Sequence, residues 1–280
     1  MSRPASEEHR RFEEFYQRKW HGHEGFWEER YPPDQVVYAT TVYRRRNEEI
    51  LRAAGPRPGS VLDLGCGVGD VTFLLSGRAR RVVGADVSLE NVRRARDNLR
   101  RRTVSNGAVV QGGAETLPFR DGAFDLVVLG DVIEHIPDVL GCLSEVRRVL
   151  RPGGRLICVT PIRATLRAWG RVDWLAKKVA RPRRTPPLAS EHPEVFERFL
   201  SMREMEAAFR RADLHPIAFR RVCLYPAAET TGAFGALMRG LHGAVGARWF
   251  RTIAGITIRA FEALERVRLL NQKQLWVVSR

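Results

Sequence analysis

Lysine is almost missing from this 280-residue chain: of 47 basic side chains only Lys19, Lys177, Lys178 and Lys273 are lysine, and the rest are arginine. That skew follows most simply from a GC-rich coding sequence in which arginine fills the surface. A high isoelectric point alone therefore says little about partners. Cysteine is scarce too. Cys66, Cys142, Cys158 and Cys223 lie far apart with no paired spacing, which excludes a disulfide framework and a zinc-ligand pattern and predicts buried thiols in a reducing compartment. No stretch approaches the ~20 uncharged apolar residues of a membrane span. The charged start MSRPASEEHRRFEEF has no apolar core, so no signal peptide is expected. These absences predict a cytoplasmic protein.

What is present is an ordinary globular composition, 44% hydrophobic and 28% charged, enough to bury a core and to exclude disorder as the main state. The formal net charge is +15. It is unevenly placed: residues 1–150 carry 23 basic and 22 acidic side chains, whereas residues 151–280 carry 24 basic and 10 acidic. Codon usage does not explain that asymmetry.

Residues 6–31 have a helical pattern dense in aromatics, Pro32-Pro33 breaks it, and a second helix is expected over Asp34–Ala54. After the loop Gly55-Pro56-Arg57-Pro58-Gly59 the pattern changes to short apolar runs alternating with amphipathic helices. Strands are expected at 61–64, 81–85, 108–111, 124–130 and 155–160, with helices at 71–76, 89–102 and 139–150. The alternation resumes with a helix near 201–212 and strands at 217–224 and 274–279. Continuous apolar strands interleaved with helices predict an α/β fold whose parallel sheet is covered on both faces.

The strongest chemical signal is VLDLGCGVGD over residues 61–70. A buried strand runs into Gly65-Cys66-Gly67-Val68-Gly69, a turn that lets a ligand approach bare backbone at a helix N-terminus. The next strand ends at Asp86, where a carboxylate about 20 residues on is placed to accept both ribose hydroxyls of a nucleoside. The spacing is G-x-G-x-G with Asp63 two residues upstream. A nearby acid suits a ligand carrying an amino group better than a pyrophosphate.

VLDLGCGVGD (61–70), VVGADVS (82–88), AETLPFRDGAFDLVVLGDVIEHIPD (114–138) and LRPGGRLICVTP (150–161) together resemble class I S-adenosylmethionine-dependent methyltransferases of the type 11 family, which includes ubiquinone and menaquinone biosynthesis enzymes. The resemblance implies a Rossmann-like, seven-stranded, mostly parallel sheet with helices on both faces, and S-adenosyl-L-methionine as cofactor. It implies that Gly65, Cys66, Gly67 and Gly69 form the cofactor loop and that Asp63 orients the methionine amino group indirectly. Asp86 would hold the ribose, Val87 would pack on adenine, and Ala114 and Glu115 would edge the ring. The family often has an acid where this chain has Gly113, which leaves adenine N6 to Glu115 or to backbone. Asp131 is expected to cap the following helix near the methionine portion.

Methyl transfer is an in-line displacement for which the protein mainly supplies alignment, and a base is needed only when the nucleophile arrives protonated. His135 and His192 are the candidate bases. The plainer reading of His135, in EHIPD, is an anchoring residue beside the cofactor. Tyr16, Trp20 and Tyr38 are candidate pocket-lining residues, with helix packing as their alternative. No metal site is expected.

These readings divide the chain into an N-terminal helical cap (1–54), a cofactor-binding core (55–225 with 274–280) and two basic helical insertions (162–192 and 226–273). Basic amphipathic segments carrying Trp and Phe suit an anionic membrane surface, where each basic residue contributes ~1 kcal/mol. A helical lid over an apolar pocket is the equal alternative. The expected activity is methylation, at oxygen, of a hydrophobic small-molecule or lipid-linked acceptor, in the cytoplasm or peripherally on the inner membrane face. Alternatives are an RNA methyltransferase, disfavoured because no appended RNA-binding module is evident, and a non-catalytic S-adenosylmethionine-binding partner protein.

Overall fold

Buried parallel strands need a covering layer on each face, and the chain supplies both. The computed structural model describes residues 45–161, 198–222 and 273–280. Residues 45–54 are helical (α1). There follow β1 (Ser60–Leu64), α2 (Asp70–Ser76), β2 (Arg81–Asp86), α3 (Leu89–Arg101), β3 (Gly107–Gln111) and β4 (Phe124–Gly130). After a 3-10 turn at Ile133–His135 come α4 (Val139–Val149), β5 (Leu150–Pro161), α5 (Met202–Arg211), β6 (His215–Val222) and β7 (Lys273–Ser279). The seven strands form one sheet in the order β3-β2-β1-β4-β5-β7-β6. Only β7 runs against its neighbours, pairing antiparallel with both β5 and β6.

Alternate side chains of each strand feed opposite faces. Leu62, Leu64, Val127, Leu129, Leu156 and Cys158 join the core under α4 and α5, with Val146 and Phe209. Val61, Val82, Leu126, Val128, Ile157 and Val159 join Ile50 of α1 and Val71 and Leu75 of α2. Phe124 and Phe209 are among the largest fully buried side chains, each contributing about 1.5–3 kcal/mol by leaving water. Asp63 occupies the alternate position between Leu62 and Leu64, on the α2 face, where Thr72 Oγ1 donates to its Oδ2 at 2.6 Å.

Most expected elements fall within two residues of their observed ends. β5 starts earlier, at Leu150, because Leu150 pairs with Phe124 across an irregularity before the regular register resumes at Arg155. β6 also starts early, at His215, with its own irregularity between Pro216 and Ala218, which a proline tolerates on an edge strand. The cap before residue 45, the insertion 162–192 and residues 226–272 lie outside the described residues. Strand order reverses between β1, whose chain goes on to β2 and β3, and β4, which leads to β5. A crevice opens there beyond the carboxyl ends of the strands.

Candidate functional site

That crevice holds an open cavity with about 740 Å³ of empty space, its solvent-open side included. Its floor is Leu64 at the end of β1 and Gly65 and Gly67 after it. Asp86, Val87 and Asn91 form one side, and the run from Gly112 to Glu115 after β3 another. Asp131, Val132, His135, Ile136 and Pro137 after β4 close it.

Glycine is required in the floor for two separable reasons. Gly65, Gly67 and Gly69 all have positive φ, at 73°, 54° and 87°, a region costly for side chains with a Cβ. At Gly65 a Cβ would also sit 2.4 Å from Val132 Cγ2, so the turn and the loop after β4 interlock through the missing side chain. At Gly67 a Cβ would meet nothing within 4 Å. Gly69 serves packing: a Cβ there would lie 3.1 Å from Ala95 Cβ of α3. The turn is pinned to β2, since the amides of Gly65 and Cys66 both donate to Ala85 O, at 2.7 and 3.0 Å.

Asp86 ends β2 with only 7% of its surface exposed. Its Oδ2 accepts from Gly67 N at 2.8 Å, and its Oδ1 accepts from Ser88 N at 2.9 Å and from Asn91 Nδ2 at 3.1 Å. Burial raises its pKa above the ordinary carboxylate value, opposed by these hydrogen bonds. A carboxylate offers about four lone-pair sites. Three are taken, two on Oδ1 and one on Oδ2.

The wall after β4 carries charge. Asp131 has a left-handed backbone at φ 61°, and its amide donates to Val159 O at 2.9 Å. Its Oδ2 accepts from Arg46 Nη1 of α1 at 2.9 Å and from Lys273 Nζ at the start of β7. Burial pushes the Asp131 pKa up, but the Lys273 and Arg46 charges outweigh burial and hold it below the ordinary value. Asp131 Oδ1 is buried and has no hydrogen-bond partner. Next to it Glu134 is pushed up to about 8, first by burial and then by the Asp131 charge, and its Oε2 accepts from Thr160 Oγ1 at 3.0 Å. Burial and the Asp131 charge thus favour the protonated form of Glu134 beside an ionised Asp131.

Asp131 does not cap the next helix. Ile136-Pro137 intervenes, and Asp138 takes that role, its side chain accepting from Gly141 N at 2.9 Å. Of the residues singled out in the sequence, Gly65, Gly67, Asp86, Val87, Ala114, Glu115, Asp131 and His135 line one cavity. Asp63, Cys66 and Gly69 are buried and do not line it. Burial raises Asp63 to about 6 and pushes the Cys66 thiol well up, so Cys66 stays a thiol. Glu115 Oε1 accepts from Asp138 N at 3.2 Å and so joins the segment after β3 to the start of α4. Cys66, Cys142 and Cys158 are buried and free. His192, Tyr16, Trp20, Tyr38 and Cys223 lie outside the described residues. Asn91, Glu134 and the Arg46–Asp131–Lys273 cluster were not anticipated. Asn91 alone left a local trace, a polar residue on the buried face of an amphipathic helix. Among the described residues no helix is long and apolar enough to cross a membrane.

Residues 62–158 match the family described as a methyltransferase domain, and every residue lining the cavity falls inside that match. The demethylmenaquinone methyltransferase of Lactococcus lactis subsp. lactis (strain IL1403) is 42% identical over 110 residues, covering 38% of this chain and 44% of that protein. The enzyme of the same name from Staphylococcus aureus (strain JH9) is 36% identical over 129 residues, covering 45% of this chain and 52% of the relative. The chain thus spans about half the length of the curated relatives it matches. The crystal structure of geranyl diphosphate C-methyltransferase from Streptomyces coelicolor A3(2), in complex with Mg2+, geranyl diphosphate and S-adenosyl-L-homocysteine, shares the fold. Its TM-score is 0.62 at 16% identity, covering 99% of this chain and 100% of that one.

Proposed function

We propose that this chain, built around a methyltransferase domain, transfers a methyl group from S-adenosylmethionine to a hydrophobic small-molecule or lipid-linked acceptor, at an oxygen atom. One observation carries the reading: the bare Gly65–Gly67 turn, the Asp86 carboxylate and the charged Asp131 meet in one cavity at the point where strand order reverses.

The residues present fit the donor. Asp86 keeps one lone pair for a ribose hydroxyl, and Val87 and Ala114 offer apolar surface to a purine. Asp131 is held ionised by Arg46 and Lys273, so the negative charge it brings to the cavity wall suits an ammonium group. When bound, S-adenosylmethionine supplies a methyl group already activated by the sulfonium charge. The chain's own residues then have to align the acceptor and exclude water. Val132, Ile136 and Pro137 give the cavity an apolar wall suited to a hydrophobic acceptor. His135 lines the same wall and is the candidate to take a hydroxyl proton, with anchoring beside the cofactor as its alternative role.

The names of the curated relatives specify a demethylated menaquinone, which supports an apolar, ring-bearing acceptor for this chain as well. The basic insertions at 162–192 and 226–273 are proposed as a lid or a dock on an anionic membrane surface, on their sequence alone. Isothermal titration with S-adenosylmethionine tests the donor, and a folded sample that binds none would sink the reading. Incubation with labelled donor and a lipid extract, followed by mass spectrometry, tests the acceptor. Donor binding without product from any extract would instead indicate a non-catalytic binding protein, and label recovered in RNA an RNA methyltransferase.

A further inference from the structure

Positive charge gathers at the amino ends of the strands, the end of the sheet opposite the Gly65–Gly67 turn. Arg81 opens β2 and Arg80 precedes it, Arg120 lies between β3 and β4, and Arg151 follows Leu150 at the start of β5. Parallel pairing brings these starts together, since Ser60 of β1 pairs with Arg81 on one side and β4 lies along the other. The four arginines line one open cavity with about 770 Å³ of empty space, its solvent-open side included. Four residue steps along β1, about 13 Å, separate Ser60 on its rim from Leu64 on the floor of the Asp86 cavity.

Few acids answer this charge. Asp125 Oδ1 accepts from Arg151 Nη1 and its Oδ2 from Ser60 N, both at 2.6 Å. Arg151 Nε also donates to Gly122 O at 3.3 Å, so this guanidinium is held in place with Nη2 left over. Asp121, next to Arg120, is taken by Arg148. The side chains of Arg80, Arg81 and Arg120 have no hydrogen bond or ion pair among the described residues. An arginine-rich surface does not account for the cluster. Residues 1–150, which hold three of the four, are nearly balanced at 23 basic against 22 acidic side chains, and like charges gathered without counterions repel one another.

We propose that this cavity binds a soluble polyphosphate, with a diphosphate as the smallest member of the class. A guanidinium presents paired N–H groups that match two phosphate oxygens. Even with Asp125 counted, the charge of the four exceeds that of one orthophosphate. The lining carries no aromatic side chain on which a base of single-stranded RNA could stack. The exposed large hydrophobic residue among the described residues is Ile217, on β6 at the far edge of the sheet. The rim thus lacks the apolar residues with which basic surfaces dock on membranes. The site is independent of what the Asp86 cavity takes.

The test is calorimetric titration of inorganic pyrophosphate, in phosphate-free buffer, into three proteins. These are the wild-type chain, a cavity variant carrying Arg80→Gln, Arg81→Gln and Arg120→Gln, and a control carrying Arg93→Gln, Arg101→Gln and Arg203→Gln. The control loses the same charge at exposed positions outside the cavity. Wild type should bind pyrophosphate about tenfold or more tighter than orthophosphate. The cavity variant should lose about tenfold or more of that affinity and keep its thermal unfolding midpoint, since the three side chains hold nothing in place. The control should stay within about twofold of wild type, its distant charges being screened by salt. Equal losses in the two variants would mean a general attraction to a basic chain and overturn the proposal, as would a wild type that binds no pyrophosphate. Phosphatidylglycerol vesicles and a single-stranded RNA oligonucleotide are titrated alongside. Binding of either that is lost in the cavity variant, with pyrophosphate ignored by wild type, would overturn the polyphosphate site in favour of a membrane or RNA surface.

Discussion

The amide of Gly67 and the carboxylate of Asp86 are joined by a 2.8 Å hydrogen bond, so the turn after β1 and the end of β2 form one ligand-facing surface. Asp86→Ala removes the ribose acceptor and leaves the Gly67 and Ser88 amides and the Asn91 amide without their partner. Donor affinity should fall by about a hundredfold or more, and stability by about 1–3 kcal/mol. Calorimetry and thermal unfolding measure the two separately. Unchanged affinity would refute the ribose role.

Gly65→Ala should destabilise the chain by about 2–4 kcal/mol, from a left-handed backbone and from overpacking against Val132. Pairing it with Val132→Ala relieves the contact but not the backbone strain. Thermal unfolding should therefore show partial recovery in the double variant, and full recovery would mean that the backbone contributes nothing.

Lys273→Met leaves a buried Asp131 with only Arg46 as counterion and should cost about 3 kcal/mol, because one charge of a buried group loses its partner. Both side chains are largely buried, so the loss should change little between low and high salt. A loss that vanishes at high salt would place the pair at the surface.

Glu134 sets a pH dependence. Its folded pKa of about 8 lies above the ordinary 4.5, so the native state binds the extra proton between those values. That contribution is fully present below about pH 4.5 and is lost as pH rises to 8. Glu134→Gln should flatten the decline and be more stable than wild type, by roughly 2–4 kcal/mol, near pH 9. Denaturant titrations at pH 5, 7 and 9 check the sign, and parallel curves for the two proteins would contradict it.

His135→Gln separates two roles. A general base predicts a fall in turnover of about 10²-fold or more with donor affinity nearly kept. An anchoring residue predicts the reverse, weaker donor binding with turnover at saturation within a few-fold.

The sheet was legible because strands buried on both faces are nearly continuous apolar runs, as FDLVVLG at Phe124–Gly130 is apart from Asp125. The glycine turn was legible because positive φ leaves its mark in the sequence. Other features had no such trace. Arg46, Asp131 and Lys273 are far apart along the chain, and no periodicity links them. Glu134 sits beside His135 in EHIPD and looks like a surface acid until Thr160 and Asp131 are seen around it. Asp131 was misread as a helix cap because Pro137 moves the helix start to Val139, handing the cap to Asp138.

The antiparallel course of β7 has a consequence for the order of events during synthesis. β7 lies between β5 and β6, yet it is the last of the seven strands to be made. Until it leaves the ribosome, β6 lacks its one partner among the described strands and Asp131 has one counterion where the folded structure has two. A nascent chain stalled before residue 273 should therefore yield its β6 region readily to protease while β1–β4 resist. The ligand-binding end of the sheet would then acquire its full set of charges only once residue 273 has been made.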